Sequence, residues 1–188
     1  MFNRIKRMFV WVRRCRYCRG FGIQSPWTYR FVRYVINEHY PYYAYEDLKR
    51  TAPTADVLQL KLCRLYFRIA NFTQVSQWIV KVPERAIVEH YINAGCRKTR
   101  MSDGNFEDGS VLLMDLTNNS EQVFLQFAEK AKEQSILIVK DIYSTAEAQQ
   151  IWRKIMTDER TGVTFDLYYC GIVFFDRKLH KQNYIINF

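Results

Sequence analysis

Val111-Leu112-Leu113-Met114-Asp115 and Ile136-Leu137-Ile138-Val139-Lys140-Asp141 set the architecture of this chain. Each is an unbroken apolar run that ends at a carboxylate. Runs of this length without polar alternation read as strands buried on both faces, which is the habit of a parallel sheet. Between them Val123, Phe124, Phe127, Ala128 and Ala131 recur at helical spacing, with Glu121, Gln126, Glu129 and Lys130 on the opposite side. Strand, crossover helix and strand make a βαβ unit, whose connection is expected to be right-handed. Ligands of such sheets sit beyond the carboxyl ends of the strands, so Asp115 and Asp141 mark where a site belongs.

The pattern extends both ways. Upstream, Trp78-Ile79-Val80 reads as a strand over 76–82, and Pro83 opens a helix through Ile87, Tyr91 and Ile92 that Gly95 stops. Residues 97–109 are polar, hold Gly104 and Gly109, and read as a loop or short strand. Downstream, Ser144-Thr145-Ala146-Glu147 is a capping box for a helix that turns Ala148, Ile151, Trp152 and Ile155 inward. A turn at 158–162 follows. The runs 163–169, 172–175 and 184–188 are β-rich, parted by Cys170-Gly171 and a charged turn. Their short links predict antiparallel pairing at one end of the sheet.

Ahead of this core the chain is helical and aromatic. Residues 2–18 suit a helix with Phe2, Ile5, Phe9 and Val12 on one side and basic charge around the rest. That pattern fits docking on the protein's own body, the favoured reading, or lying on an anionic membrane. Cys15 and Cys18 form a CxxC, but zinc wants four ligands and no second ligand pair accompanies them. Gly20-Phe21-Gly22 breaks the helix, and Ser25-Pro26 starts another with serine as cap and proline at the first position. Trp27, Phe31, Tyr34 and Val35 give that helix an apolar stripe. Pro41-Tyr42-Tyr43-Ala44-Tyr45 lacks interleaved Lys or Arg and reads as packing rather than base stacking. A third helix over 55–71 turns Leu58, Leu62, Leu65 and Ile69 inward. Residues 1–72 thus form a helical extension packed on an α/β core at 73–188, within one structural domain.

At 188 residues the chain suits a single domain with a real core. Its 48% hydrophobic and 16% aromatic content argues against disorder. The net charge of +9 is concentrated at one end. Arg4, Lys6, Arg7, Arg13, Arg14, Arg16, Arg19, Arg30 and Arg33 all precede the first acidic residue, Glu38, and equal the whole excess. The first seven of these are candidate anion-binding residues. A basic arm on a neutral domain implies an anionic partner, nucleic acid or a membrane surface, unless it is simply a solvated helix. Five cysteines, with only the short run Met8-Phe9-Val10-Trp11-Val12 before Arg13-Arg14, imply reduced thiols. The location implied is cytoplasmic, membrane-peripheral if the arm engages lipid.

Gly20-Phe21-Gly22-Ile23-Gln24-Ser25-Pro26-Trp27 resembles the Gly-x-Gly-x-His-Ser-Pro-Phe opening of a family of bacterial class I S-adenosylmethionine-dependent methyltransferases. Residues 42–46 are similar to that family's Tyr-Tyr-Ala-Tyr-Glu stretch. Phe165-Asp166-Leu167, Gly171-Ile172-Val173-Phe174-Phe175 and Ile185-Ile186-Asn187-Phe188 resemble its closing strands, and Met114-Asp115 and Asp141-Ile142 its acidic strand ends. The resemblance implies a three-layer Rossmann-like α/β sandwich, mostly parallel with antiparallel C-terminal strands. It also implies S-adenosylmethionine over the first strand, with Asp115, Asp141 and Tyr143 as catalytic candidates near the substrate.

The middle of the chain departs from that family. A glycine-rich turn should follow the first strand, where a Cβ would block the cofactor and the backbone visits positive φ. Trp78, Ile79, Val80 and Lys81 occupy this cofactor-binding position, and no glycine occurs from Thr73 to Ala94. Pro83 also removes a helix-start N–H. The stretch before Val111 is too short for the family's next strand–helix unit and its ribose-binding acid, and Glu89 lies within a helix. Lys140 stands where a second carboxylate would help hold a divalent cation, and an ammonium there should pair with Asp115 or Asp141 instead. His39, His90 and His180 lack nucleophile partners. The sequence therefore points to a degenerate relative that binds neither cofactor nor metal and acts as a binding or scaffolding module. An active methyltransferase with an atypical pocket is the second reading. A nucleic-acid or anionic-membrane binder is the third.

Overall fold

The computed structural model describes residues 2–20, 22–50, 55–102, 106, 110–117 and 119–188, with side chains for all of these except 2–4, 6, 18 and 19. The N-terminal part runs α1 (Phe2–Arg13), a 3-10 turn (Cys15–Gly20), α2 (Pro26–Phe31) continued by a π-helical turn (Val32–Ile36), α3 (Ala44–Arg50) and α4 (Val57–Thr73). The core then runs β1 (Gln77–Lys81), α5 (Arg85–Gly95), β2 (Arg100–Ser102), β3 (Val111–Asp115), α6 (Ser120–Lys130) and β4 (Ile136–Lys140). It closes with α7 (Ala146–Thr157), β5 (Thr164–Asp166), β6 (Cys170–Phe174) and β7 (Asn183–Ile185).

The strands form one seven-stranded sheet in the order β2-β1-β3-β4-β6-β5-β7. The first four are parallel, with Val111 opposite Ile136 and Asp115 opposite Lys140. β6 is antiparallel to both of its neighbours, β4 and β5. The last strand departs from expectation: β7 pairs in parallel with β5 rather than antiparallel with β6. Both margins of β6 are already occupied, so the chain passes over it to the free edge of β5.

Burial on both faces, expected from the unbroken apolar runs, holds along the central strands. Ile79, Leu112, Met114, Leu137 and Val139 point to Phe124 and Phe127 of α6 and to Trp152 and Ile155 of α7. Trp78, Val80, Val111, Leu113, Ile136 and Ile138 point the other way, into a cluster with Phe31, Leu65, Ile69, Tyr91 and Ile92. The result is a Rossmann-like α/β arrangement, a mostly parallel sheet between helical layers.

Local rules explain most boundaries. Ser25 caps α2, its hydroxyl accepting from the Thr28 N–H at 3.4 Å, with proline at the helix start. The cap of α7 falls one residue later than the capping-box pattern suggests: Thr145 accepts from the Ala148 N–H, while the Ser144 N–H donates to the Asp141 carbonyl. The helix predicted over 2–18 stops at Arg13, and α3, read only as an aromatic cluster, is helical with Tyr45 and Leu48 buried. Cys170 and Gly171 do not separate strands but begin β6, because the Trp152 ring lies against the glycine. Arg68, buried on α4, donates to the Val35 and Ile36 carbonyls at 2.6 and 3.3 Å, a cation at the carboxyl end of the π turn.

Candidate functional site

Lys81, Asp115, Lys140 and Asp166 lie at one edge of the sheet, at the carboxyl ends of β1, β3, β4 and β5. From β1 the chain moves outward to β2, then crosses back to place β3 on the other side of β1. The crevice between β1 and β3 is therefore the switch point at which open α/β sheets take ligands.

An ion pair spans that crevice. Lys140 Nζ donates to Glu84 Oε1 and Oε2 at 2.7 and 2.8 Å and lies 3.9 Å from Asp141 Oδ2. Because β3 sits between β1 and β4, the Lys140–Glu84 contact reaches from the end of β4 over β3 to the turn after β1. The sequence reading paired Lys140 with Asp115 or Asp141; its principal partner is Glu84. The missed signal is Glu84's position directly after Pro83, in the turn that lacks glycine. Partial burial opposes the Glu84 charge, but the hydrogen bond and charge of Lys140 outweigh it and hold the carboxyl below its usual range. Asp141, in the left-handed region at φ 57°, is pushed upward by burial, with Lys140 opposing and Glu84 and Asp115 adding.

The other candidates divide. Trp78 is fully buried in the core beneath the crevice, with Val80, whereas Ile79 faces the opposite layer. Lys81 is exposed, its ammonium 5.4 Å from the centre of the Phe106 ring. Asp115 ends β3, and its carbonyl accepts from the Ser120 hydroxyl at 2.9 Å. Arg85, a conceivable plug, instead pairs with Glu89 along α5. Cys63 and Tyr66 of α4 are buried, and burial above all raises both, with the Glu84 charge a smaller contribution in the same sense. Burial, then the Glu84 charge, pushes the Cys63 thiol to about 12, with Lys140 opposing, so it stays protonated at neutral pH and is no nucleophile.

The Lys140–Glu84 pair has a pH signature. The depressed Glu84 carboxyl contributes stability that is complete above its unfolded value and fades as pH falls through its folded one. The raised Asp141 carboxyl works in the opposite sense, its contribution fading as pH rises. Lys140→Met removes the partner of both. The variant is expected to lose about 1 kcal/mol at pH 7, with the gap to the parent narrowing below about pH 4.5. Urea unfolding across that range reads it; a gap independent of pH would assign Lys140 only a packing role.

A second cluster occupies the same edge, at β5. Arg14 Nη2 donates to Asp166 Oδ1 at 2.7 Å and Nη1 to the Asp166 carbonyl at 3.2 Å. The two side chains are 11% and 5% exposed, so Asp166 is buried and Arg14 nearly so. The Tyr143 hydroxyl donates to Asp166 Oδ2 at 2.6 Å, and the Tyr168 N–H to Oδ1 at 2.9 Å. The Tyr143 and Tyr168 rings stack at 5.0 Å, with the Arg14 guanidinium 5.7 and 5.3 Å from their centroids. Burial, then the hydrogen bond to Asp166, raises the Tyr143 phenol to about 12. The catalytic candidate Tyr143 is thus engaged in anchoring the N-terminal arm, and Asp166 was missed as its anchor. Its sequence signal was a lone carboxylate inside the apolar run Phe165-Asp166-Leu167.

Among the anion-binding candidates, Arg14 is committed to Asp166 and Arg7 is half-buried. Arg13 and Arg16 are exposed, Arg16 lying over the Tyr17 ring. The side chains of Arg4, Lys6 and Arg19 lie outside those described. No group of three His, Cys, Asp or Glu side chains that could hold a metal occurs among the described residues. No helix among them is long and apolar enough to cross a membrane. Comparison with protein-family models, curated proteins and solved structures finds no match to this chain.

Proposed function

We propose that this chain is a non-catalytic relative of the class I methyltransferases and works as a binding or scaffolding module. Descent is supported by a mostly parallel sheet with an antiparallel strand, β6, in its C-terminal part, in keeping with the arrangement that the family resemblance implies. Loss of cofactor binding is supported chiefly by the Lys140–Glu84 ion pair, which lies across the switch-point crevice. A methyl donor seated there must part these two charges. It must also approach a β1 turn that carries Val82, Pro83 and Glu84 where glycine would give access to the backbone.

Titration calorimetry with S-adenosylmethionine and S-adenosylhomocysteine tests this. Saturable binding should be absent up to a dissociation constant of roughly 1 mM. Micromolar binding to either compound would overturn the reading and return Asp115 and Asp141 to consideration as substrate-side acids.

A further inference from the structure

The N-terminal helix faces the wrong way for a helix that docks to hide its apolar side. Ile5, Met8, Phe9 and Val12 lie at i, i+3, i+4 and i+7, one face, with Trp11 at its border. All five are between 54 and 67% exposed. The inward contacts of the arm are instead largely polar. Besides the Arg14–Asp166 pair, Asn187 Nδ2 donates to the Trp11 carbonyl at 3.1 Å and the Asn187 N–H to the Tyr17 carbonyl at 3.0 Å. Val10, 9% exposed, is the buried apolar residue of α1 among the described side chains. Polar anchors therefore hold the helix with its hydrophobic stripe outward.

We propose that α1 is an interfacial helix that seats this protein on anionic lipid bilayers. Ile5, Met8, Phe9 and Val12 enter the acyl boundary, and Arg13 and Arg16 meet the headgroup phosphates. Charge complementarity selects this occupant: Arg13 and Arg16 are exposed and follow directly on the stripe, and the arm's own sequence carries no carboxylate before Glu38. A nucleic acid is a poorer fit: Phe9 and Trp11 could stack on bases, but Ile5, Met8 and Val12, the rest of the stripe, offer them no ring. A second copy is also poorer, because helices paired along this stripe would bring two basic arms together, with Arg13 and Arg16 exposed on each. The assignment goes beyond the crevice reading and stands or falls without it, since calorimetry reports on the crevice and vesicle binding on α1.

The test is sedimentation of the full chain with vesicles of phosphatidylcholine alone or with roughly 30% phosphatidylglycerol, at several salt concentrations. The parent should bind the anionic vesicles, weakly or not at all the neutral ones, and lose binding as salt rises. Phe9→Glu should lower partitioning by roughly tenfold or more, and Arg13→Glu with Arg16→Glu by a similar factor on anionic vesicles alone. These side chains are exposed, so unchanged circular dichroism and thermal midpoints will show that the variants fold. No binding to anionic vesicles overturns the proposal, as does equal binding to neutral ones or full binding by Phe9→Glu. Salt-sensitive binding to an RNA oligonucleotide without vesicle binding would reassign the arm to nucleic acid. A dimer in light scattering that Phe9→Glu dissociates, again without vesicle binding, would reassign the stripe to self-association.

Discussion

Asp166→Ala is expected to destabilise the fold by about 2–3 kcal/mol, the scale for losing charge-assisted hydrogen bonds at a largely buried carboxylate. Its carboxylate receives the Arg14 guanidinium, the Tyr143 hydroxyl and the Tyr168 N–H. With the carboxylate gone, Arg14 is left as a partly buried cation whose remaining acceptors are the carbonyls of residue 166 and Ile186. The arm should then leave the sheet edge and release Asn187 from Trp11 and Tyr17. Urea unfolding gives the stability change, and hydrogen exchange at the N–H groups of α1 gives the undocking. A double-mutant cycle sharpens the attribution. Combining Asp166→Ala with Arg14→Met removes both charges, so the pair should cost clearly less than the two single changes summed. Strict additivity would mean that Arg14 and Asp166 do not depend on one another, and the anchor would have to be sought in Asn187 and Val10.

The second large effect lies at Gly171. A Cβ there would stand 2.4–2.8 Å from three atoms of the Trp152 ring, and Trp152 is fully buried between α7 and the sheet. The ring cannot swing into solvent, so either α7 or β6 must shift. Overpacking of this kind costs about 1–3 kcal/mol and sometimes more. Gly171→Ala is expected at the top of that range, and Gly171→Val beyond it. Trp152→Phe shortens the ring at the contact and leaves space of its own. The double variant Gly171→Ala with Trp152→Phe should therefore be more stable than Gly171→Ala alone. Thermal unfolding measures this, and failure of the smaller ring to restore stability would show that the clash is with backbone instead.

These two sites show what the order of residues can and cannot disclose. Buried parallel strands announce themselves because both faces demand apolar side chains, which is why β3, β4 and their crossover were legible. Caps at Ser25 and near Thr145 were legible because they are decided within four residues. The relations that define the candidate site are not local. Arg14 and Asp166 are 152 positions apart, and Glu84 and Lys140 are 56 apart. Periodicity carries no information about such pairings. The stripe of Ile5, Phe9 and Val12 was visible as a stripe, but its direction depended on where Arg14 found a partner. Gly171 looked like a break for a related reason: the ring that requires it belongs to another element. Chain order does not predict the place of β7, because β6 has both margins taken and the nearest open margin is that of β5.

Among the described residues, the two outer strands, β2 and β7, are each three residues long. The strands between them are rich in Val, Ile, Leu and Phe, the composition that promotes cross-β association when a long margin is open. Stubs of this length present few unpaired amides to an incoming chain, a common protection against edge-to-edge growth. Crowding this protein onto a surface should therefore raise its local concentration without inviting its sheets to fuse.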